Sequence, residues 1–190
     1  MGWPTSIKIF LQLQDGVDYV IAQHPNERGD EITAVETWLL AYPAYIKVSD
    51  VKAQNTDGGT FTSGAWQTRD INTEDMDTGN HCSIASNQIT LAPGTYECCI
   101  KCPAYEVDGH QARLQNITDA VTTLIGTSGT SSPVGASVTF STIMGRFTIT
   151  TQKTFEIQHQ CNTTKSNRGF GFPNNWTSEV YTIAEFKKVY

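Results

Sequence analysis

YECCIKCPAY, residues 96–105, holds three of the chain's five cysteines within five positions. A cluster this dense is typical of a metal site or a disulfide framework, unless the segment is a strand. In a strand, alternate side chains point to opposite faces, so neighbouring cysteines separate. One face is then apolar (Tyr96, Cys98, Ile100 and Cys102), and the other is mostly charged (Glu97, Cys99 and Lys101). This alternation predicts a half-buried strand.

The strand interpretation assigns the cysteines to packing. Cys98 and Cys102 become small core residues, because free cysteine is among the most buried residue types. Cys99 points the other way, towards either a subunit interface or solvent. Zinc sites need paired ligands on a turn and a second pair, which does not follow here. A disulfide to Cys82 or Cys161 and a metal site are the alternatives, but an odd number of cysteines favours reduced thiols.

Composition and charge limit the class of protein. Hydrophobic residues make up 38% and charged residues 17% of the 190, with abundant Thr, Ser, Asn and Gln, which favours strands and polar turns. The net charge is −6 and no basic cluster exceeds Lys187-Lys188, so we expect no nucleic-acid partner. No apolar run approaches the roughly 20 residues that span a bilayer, so no membrane insertion is expected. The N-terminus lacks a cleavage-like site, so no signal peptide is expected.

The chain beyond residue 60 is strand-like throughout. Its periodicity predicts about seven to nine short strands, about 8 to 15 residues apart, which is typical of a sandwich or jelly roll. One long segment is expected to break at Gly145 and at the turn 151–153. The strand-forming segments are 59–71, 87–107, 110–129, 137–163 and 179–190.

The N-terminal part has a different pattern. Residues 5–14 alternate as a strand, and a helix is expected over about 30–42, with Asp30 as its N-cap and Pro43 after its end. About three turns are too few to be stable alone, so the helix needs a partner, either its own copies or another protein. Its apolar stripe, the predicted docking and trimerisation surface, consists of Ile32, Val35, Trp38 and Leu39.

A polar, glycine-bearing stretch sets the predicted domain boundary. Residues 50–60 read DVKAQNTDGGT, a composition typical of a connection. The predicted organisation is therefore an N-terminal attachment segment over 1–50, a linker over 51–59 and a head domain over 60–190.

No catalytic constellation is apparent. The four histidines, His24, His81, His110 and His159, lie in separate segments without a shared motif, and His81-Cys82 is better explained as a loop than as a nucleophile and base. Residues 70–77 form an acidic stretch that lacks a full calcium-loop pattern, although a bound cation is left open. A glycan depolymerase needs carboxylates gathered in a groove. We therefore expect no enzyme activity, no cofactor and no metal.

Two aromatic and polar loops are the candidate receptor contacts. Aromatic residues on Gly- and Asn-rich loops suit contacts with sugars or proteins. The alternative is that Phe170, Phe172 and Trp176 fold inwards and plug one end of a barrel. The predicted contacts are Tyr105, Asp108 and His110 in the first loop, and Arg168, Phe170, Phe172 and Trp176 in the second.

The head domain resembles the C-terminal domain of bacteriophage tail-fibre and virion proteins. The resemblance covers about residues 60–188 and is carried by the whole set of motifs. These are a G-x-W-x-x-R-x-x-N-T opening (Gly64, Trp66, Arg69, Asn72 and Thr73), L-x-x-G-x-Y (Leu91, Gly94 and Tyr96), P-A-Y (Pro103 to Tyr105), H-Q-A-R-L-x-N (His110 to Asn116) and F-x-I-x-H-x-C (Phe155, Ile157, His159 and Cys161).

The N-terminal segment resembles helices that precede such domains in phage structural proteins. The pattern N-x-x-x-D-E-I-x-A-I-E-x-x-L is matched by Asn26, Asp30, Glu31, Ile32, Ala34, Glu36 and Leu39. The resemblance implies that three copies pair through this helix and that residues 1–50 dock to other virion proteins.

The resemblance implies a fold and a function. The fold is a trimeric jelly roll similar to tumour-necrosis-factor (TNF) and complement C1q heads, with the strand over Val180–Phe186 expected near the three-fold axis. The function is that of a homotrimeric tail fibre or spike in the virion, assembled in the host cytoplasm, whose head contacts a bacterial surface glycan or protein. The alternatives are a capsid or neck decoration, or head-fibre protein, a glycan depolymerase, and a secreted cytokine- or C1q-like protein.

Overall fold

A computed structural model describes residues 43–189, which fold into two packed antiparallel sheets. The first sheet has the order β3 (Thr73–Asp77), β1 (Ala44–Lys52), β11 (Glu179–Lys188), β6 (Gly94–Tyr105) and β9 (Val138–Ile149). The second has the order β4 (Cys82–Ala85), β5 (Gln88–Leu91), β10 (Lys153–Cys161), β7 (Asp108–Asn116) and β8 (Val121–Ser131), and β2 (Gln67–Thr68) pairs with β10.

Alternating side chains make the core between the sheets. Along β7 and β10, buried and half-buried residues alternate without interruption over most of each strand, as expected when one face of a sheet is covered. The main core consists of side chains from both sheets, among them Ile46, Val48, Ile89, Leu91, Tyr96, Ile100, Leu114, Ile143, Phe155, Ile157 and Phe186.

The predicted strand over residues 96–105 is confirmed, and β6 is its location. Cys98 and Cys102 are buried in the main core, whereas Cys99 is half-buried on the opposite face. All five thiols are unpaired. Cys98 and Cys102 therefore fill space in the core, as the alternation predicts.

The chain passes repeatedly between the two sheets. From β5 it crosses to β6, returns for β7 and β8, crosses to β9, returns for β10 and ends in β11. This path and the antiparallel pairing confirm the predicted jelly-roll β-sandwich. Within the described residues, no helix is long and apolar enough to cross a bilayer.

The sandwich begins before the predicted head domain. Residues 44–52, which the sequence assigns to the attachment segment and the linker, form β1, which pairs with both β11 and β3. Ile46 and Val48 on this strand are fully buried. The compact unit begins at Pro43, and the polar stretch that follows Lys52 is a loop within it. The predicted strand over 5–14 and helix over 30–42, with Ile32, Val35, Trp38 and Leu39, lie outside the described residues.

Two strand limits also differ from expectation. Strand β9 runs through Gly145 without a break, because its neighbour β6 pairs with it along its whole length. In the segment 59–71, only Gln67 and Thr68 are in a strand. Part of the acidic stretch forms the edge strand β3 instead of a loop.

Candidate functional site

Strand β9 carries apolar side chains on its outer surface. Val138, Phe140 and Met144 point away from the core and are exposed, whereas Ser141 and Ile143 point inwards and are buried. The inward hydroxyl of Ser141 is satisfied, because it accepts from Ala112 N at 2.9 Å and donates to Thr127 O at 2.6 Å. The usual polarity of a half-exposed strand is thus inverted in the first part of β9.

The neighbouring strand extends this outer surface. Cys99 on β6 lies opposite Met144, and Tyr105 lies opposite Val138. The ring of Phe172 packs against Tyr105, with 5.0 Å between ring centroids, at the same end of the sheet. We define the apolar face as Cys99, Val138, Phe140, Met144 and Phe172.

The apolar face is exposed to a degree that has an energetic cost. Phe140 is 52% exposed and Met144 68% exposed. Covering either side chain is worth about 1–2 kcal/mol, since full burial of such residues is worth about 1.5–3 kcal/mol. A contiguous exposed apolar surface on a soluble domain marks an interaction site. The apolar face is therefore a candidate for association with another protein surface.

Charged pairs continue the same outer surface across the sheet. Glu97 lies opposite Arg146 on β9 and opposite Lys187 on β11. Further along, Tyr45 donates a hydrogen bond to Glu185 at 2.5 Å, and this contact with the carboxylate raises the pKa of the Tyr45 hydroxyl to about 12. An apolar region beside paired charges is the arrangement of a protein interface with a polar rim.

The outer surface of the second sheet is different in character. Arg113 lies over the ring of Trp66 at 4.2 Å and donates two hydrogen bonds to the Gln158 amide oxygen. The Glu156 carboxylate accepts from Gln158, Gln88 and Thr68. These polar groups bond to one another, so the surface around Arg113 and Glu156 is polar, unlike the apolar face.

The first predicted contact loop is largely buried. Tyr105 and His110 are less than a tenth exposed. Asp108 is half-buried and accepts a hydrogen bond from Thr163 Oγ1 at 3.2 Å. His110 is removed from the predicted contacts, because its ring lies between the sheets, where a partner on the surface does not reach it.

The second predicted loop divides into buried and exposed residues. Phe170 is buried and stacks on Phe61, with 4.4 Å between centroids, so this ring folds inwards, as the alternative expects. Arg168 is exposed, donates to Asp57 at 2.9 Å and covers the Phe172 ring at 4.9 Å. Trp176 is 88% exposed.

Trp176 sits on an anchored loop. The Glu179 carboxylate accepts backbone N–H groups from Asn174 at 3.0 Å and Asn175 at 2.8 Å. These hydrogen bonds from the loop backbone hold the pKa of Glu179 below its usual value. The Gln54 amide donates to Asn175 O at 2.5 Å and fixes the loop from its other side. The exposed indole is therefore presented by a restrained backbone, which reduces the ordering cost of a contact.

Sequence analysis did not predict a buried polar network that joins two strands and a loop. Arg69, from the loop after β2, is 1% exposed and reaches His159 on β10, which in turn contacts His110 on β7. All three belong to the motifs quoted above for the family resemblance. Their shared presence in these motifs was a signal that they act together. Their separation in the chain gave no indication that they are in contact.

The acidic residues around 70–77 are engaged with protein groups. Asp70 contacts Lys52 at 2.7 Å, Asp75 accepts from Ser49 at 2.7 Å, and Asp77 accepts from Cys82 N at 2.7 Å. Over residues 43–189, no group of three or more His, Cys, Asp or Glu side chains is placed to hold a metal ion.

Comparison with known proteins identifies the fold. No protein-family model and no curated protein matches the sequence. The structure is similar to the crystal structure of murine APRIL at pH 5.0, with a TM-score of 0.52 and 8% identity over 77% of this chain and 98% of that chain. PRD1 vertex protein P5 (TM-score 0.49, 13% identity, 78% and 99% coverage) and the globular domain of zebrafish complement 1qA (0.48, 13%, 78% and 98%) are also similar. The similarity to APRIL agrees with the jelly-roll fold that the sheet topology shows.

Proposed function

We propose that this chain is a homotrimeric structural protein of a bacteriophage virion, a tail fibre or spike whose jelly-roll head contacts the host cell surface. The apolar face is the observation that carries the self-association, because exposed Phe140 and Met144 need a covering surface. The virion role rests on the family resemblance of residues 60–188. In this proposal the N-terminal segment docks to other virion proteins, and the chain binds without catalysing a reaction.

A second copy of the chain is the partner that best suits the apolar face. Most soluble oligomers are built from copies of one chain with closed symmetry, and a trimer closes when the same surface of each copy packs on its neighbours around a three-fold axis. Acidic and basic residues alternate on the outer surface of the same sheet, as in the Glu97–Arg146 and Glu97–Lys187 pairings, so copies can meet without like-charge repulsion. Three heads joined in this way would add three weak surface contacts into one strong attachment.

Replacing the two most exposed residues of the apolar face tests the oligomer. We expect Phe140→Thr/Met144→Thr to sediment as a monomer under conditions in which the wild-type protein is a trimer. The variant loses apolar surface in every copy, while the β-branched side chain of threonine suits a strand. Analytical ultracentrifugation over a concentration series measures the change, and Cys99 should react with a thiol reagent faster in the variant than in wild type.

A matched control is present on the other sheet. The side chain of Ile125 on β8 is 65% exposed, a fraction similar to the 68% of Met144. It lies opposite Arg113, on the outer surface of the second sheet. Ile125→Thr should leave the association state unchanged. A trimer in the Phe140/Met144 variant, or dissociation by Ile125→Thr, would remove the apolar face from the proposal.

Host contact is tested at the exposed indole. We expect Trp176→Ala to reduce binding of the trimer to host cells about ten-fold or more, since interface tryptophans are frequent hot spots and three copies act together. Flow cytometry with labelled protein on host cells, and a glycan array, measure the loss. Val134→Ala, in another exposed loop, is the control and should bind normally.

The rival roles give different results. A capsid or neck decoration protein would form the same trimer without binding host cells, and immunogold labelling would locate it on the head or neck of the particle. A depolymerase would release sugar from host polysaccharide, which we expect the purified trimer not to do. Normal cell binding by Trp176→Ala would exclude this loop from the contact.

A further inference from the structure

Among residues 43–189, the buried guanidinium of Arg69 has no carboxylate hydrogen-bond partner. Arg69 is buried, and its Nε donates to Thr182 Oγ1 at 2.8 Å. Its Nη1 and Nη2 donate to the carbonyls of Pro103 at 2.8 Å and Phe170 at 3.0 Å, and its carbon Cζ lies 4.4 Å from the Phe170 ring centre. Within residues 43–189 these neutral groups, with a histidine, are its contacts. A charge buried in this way raises the free energy of placing a second positive charge nearby.

The guanidinium fixes the direction of a hydrogen-bond chain. Arginine can only donate, so Nδ1 of His159, 3.4 Å from Arg69 Nη1, must accept and the His159 proton must lie on Nε2. That N–H donates to Nδ1 of His110 at 3.0 Å. His110 therefore also carries its proton on Nε2 and donates to Thr139 Oγ1 at 2.7 Å. Both histidines are neutral and have the same tautomer.

Both imidazole rings are closely packed by their neighbours. A Cβ added at Gly129 would lie 2.7 Å from the His110 ring, and the Phe61 ring packs on His159 with 4.8 Å between centroids. The other titratable or charged groups that face the network are Cys102 on β6, Cys161 on β10, Asp50 on β1 and Asp70. Burial raises the pKa of both Cys102 and Cys161 to about 11, so neither is an anion at neutral pH. Asp50 and Asp70 act on Arg69 through space, and each bonds to Lys52.

The network holds one end of the sandwich closed. Residues 58–61 and 165–171, which we name the end plug, bond to each other through pairs such as Phe61 N to Lys165 O at 3.0 Å and Phe170 N to Gly59 O at 3.1 Å. Arg69 ties the plug to the core through Phe170 O, and His110 ties Thr139 of β9. Thr139 lies between two residues of the apolar face.

We propose that the Arg69–His159–His110–Thr139 chain is an acid-sensitive latch that closes the end plug at neutral pH and releases it on acidification. A protonated imidazole has no acceptor nitrogen. Protonation of either histidine therefore sets two N–H donors against each other and adds a cation beside Arg69. The strain is relieved when the end plug opens and water reaches the rings.

The surroundings of His110 and His159 disfavour protonation of both rings. Burial, with the nearby Arg69 charge, lowers the pKa of His110 from 6.5 to about 4 and that of His159 well below 6.5. A depressed folded-state pKa gives stability that is complete above pH 6.5 and is lost as the pH falls towards the folded value. If both rings regain normal pKa values when the plug opens, acidification from pH 7 to pH 5 raises the open fraction about ten-fold or more.

Hydrogen exchange of the full chain tests the latch. Protection factors, corrected for the intrinsic pH dependence of exchange, are measured from pH 7 to 4.5 for peptides that cover 58–61 and 165–171. We expect protection there to fall at least about ten-fold, while Ile100 and Ala184 in the first sheet stay protected. Constant protection of the end plug down to pH 4.5 would overturn the proposal.

Substitution separates the latch from general acid unfolding. In His110→Gln/His159→Gln, each glutamine can accept and donate but does not titrate, so we expect the acid response of the end plug to disappear. His81→Gln, which removes a histidine outside the network, should respond as wild type does. The proposal fails if the double variant still loosens with acid as wild type does.

A measurement on the wild-type protein covers the case in which the double variant does not fold. Long-range nitrogen–proton NMR spectra of the imidazoles at pH 7 should show both rings with the proton on Nε2. A proton on Nδ1 of either ring would break the directed chain and overturn the proposal.

Discussion

At the scale of single residues, Arg69 is a buried side chain that carries charge. Arg69 uses three of its nitrogens to satisfy a hydroxyl and two carbonyls that come from three distant parts of the chain. A planar guanidinium suits this task because its donors have a fixed fork geometry. The residue thus stabilises the fold through geometry more than through charge pairing.

Arg69→Lys should therefore be strongly destabilising. The lysine keeps the charge but cannot reach Thr182, Pro103 and Phe170 together, so buried acceptors are left unsatisfied. We expect a loss of about 2–4 kcal/mol in the free energy of unfolding. Urea denaturation at pH 7.5 measures it, and Arg168→Lys at an exposed position is the control, with an expected change within about 0.5 kcal/mol. Equal stability of the two variants would contradict this role for Arg69.

At the scale of elements, the seam between β8 and β9 joins the two sheets. Ser141 on β9 bonds to Ala112 N and Thr127 O, which belong to the second sheet, and Thr142 N donates to Thr127 Oγ1 at 3.0 Å. Gly126 permits this close approach, because a Cβ there would lie 2.8 Å from Ser141 Oγ and 3.0 Å from Ala112 O. Strands β8 and β9 approach closely at Gly126 because this residue has no side chain.

Gly126→Ala should therefore open the seam. The added methyl group meets a hydroxyl that already has two partners and a backbone carbonyl, so we expect a cost of about 2–3 kcal/mol by thermal or urea unfolding. Gly145→Ala is the matched control. Its Cβ would meet the flexible end of the Leu124 side chain at 2.8 Å, which can shift, so a cost below about 1.5 kcal/mol is expected. A larger loss from Gly145→Ala than from Gly126→Ala would contradict this account.

At the scale of the whole molecule, the folded unit includes β1. This strand pairs on both sides, and its Ile46 and Val48 fill the main core. Without it, β11 would pair only with β6 and become the edge of the sheet, and β3 would lose its neighbour. The unit that begins at Pro43 therefore has a complete first sheet, whereas a chain that begins at residue 60 does not.

Truncation tests the boundary. We expect residues 43–190 to unfold cooperatively with sharp amide NMR dispersion, and residues 60–190 to be largely unfolded or aggregated, because an exposed edge and a lost core layer act together. Circular dichroism melts and proton–nitrogen spectra of the two fragments give the comparison. A well-folded 60–190 fragment would show that β1 is dispensable.

Local sequence patterns were enough to predict the class of fold and which cysteines are buried. Alternation over residues 96–105 is a local property, because the period of a strand is fixed by its backbone, and it assigned Cys98 and Cys102 to the core before any contact was known. The same reasoning placed β7, β10 and β11. It failed for β1, since a polar glycine-bearing loop inside a domain has the composition of a linker.

The positions of the apolar face and of the buried polar network depend on tertiary contacts. Alternation alone would turn Val138 and Phe140 inwards, but the sandwich turns Thr139 and Ser141 inwards, because their hydroxyls find partners on the second sheet. Arg69, His110 and His159 meet through the register of two strands, β7 and β10, and the loop after β2, which no short pattern encodes. The apolar face and the buried latch arise from these long-range pairings, because burial and hydrogen-bond satisfaction are decided by neighbours distant in sequence.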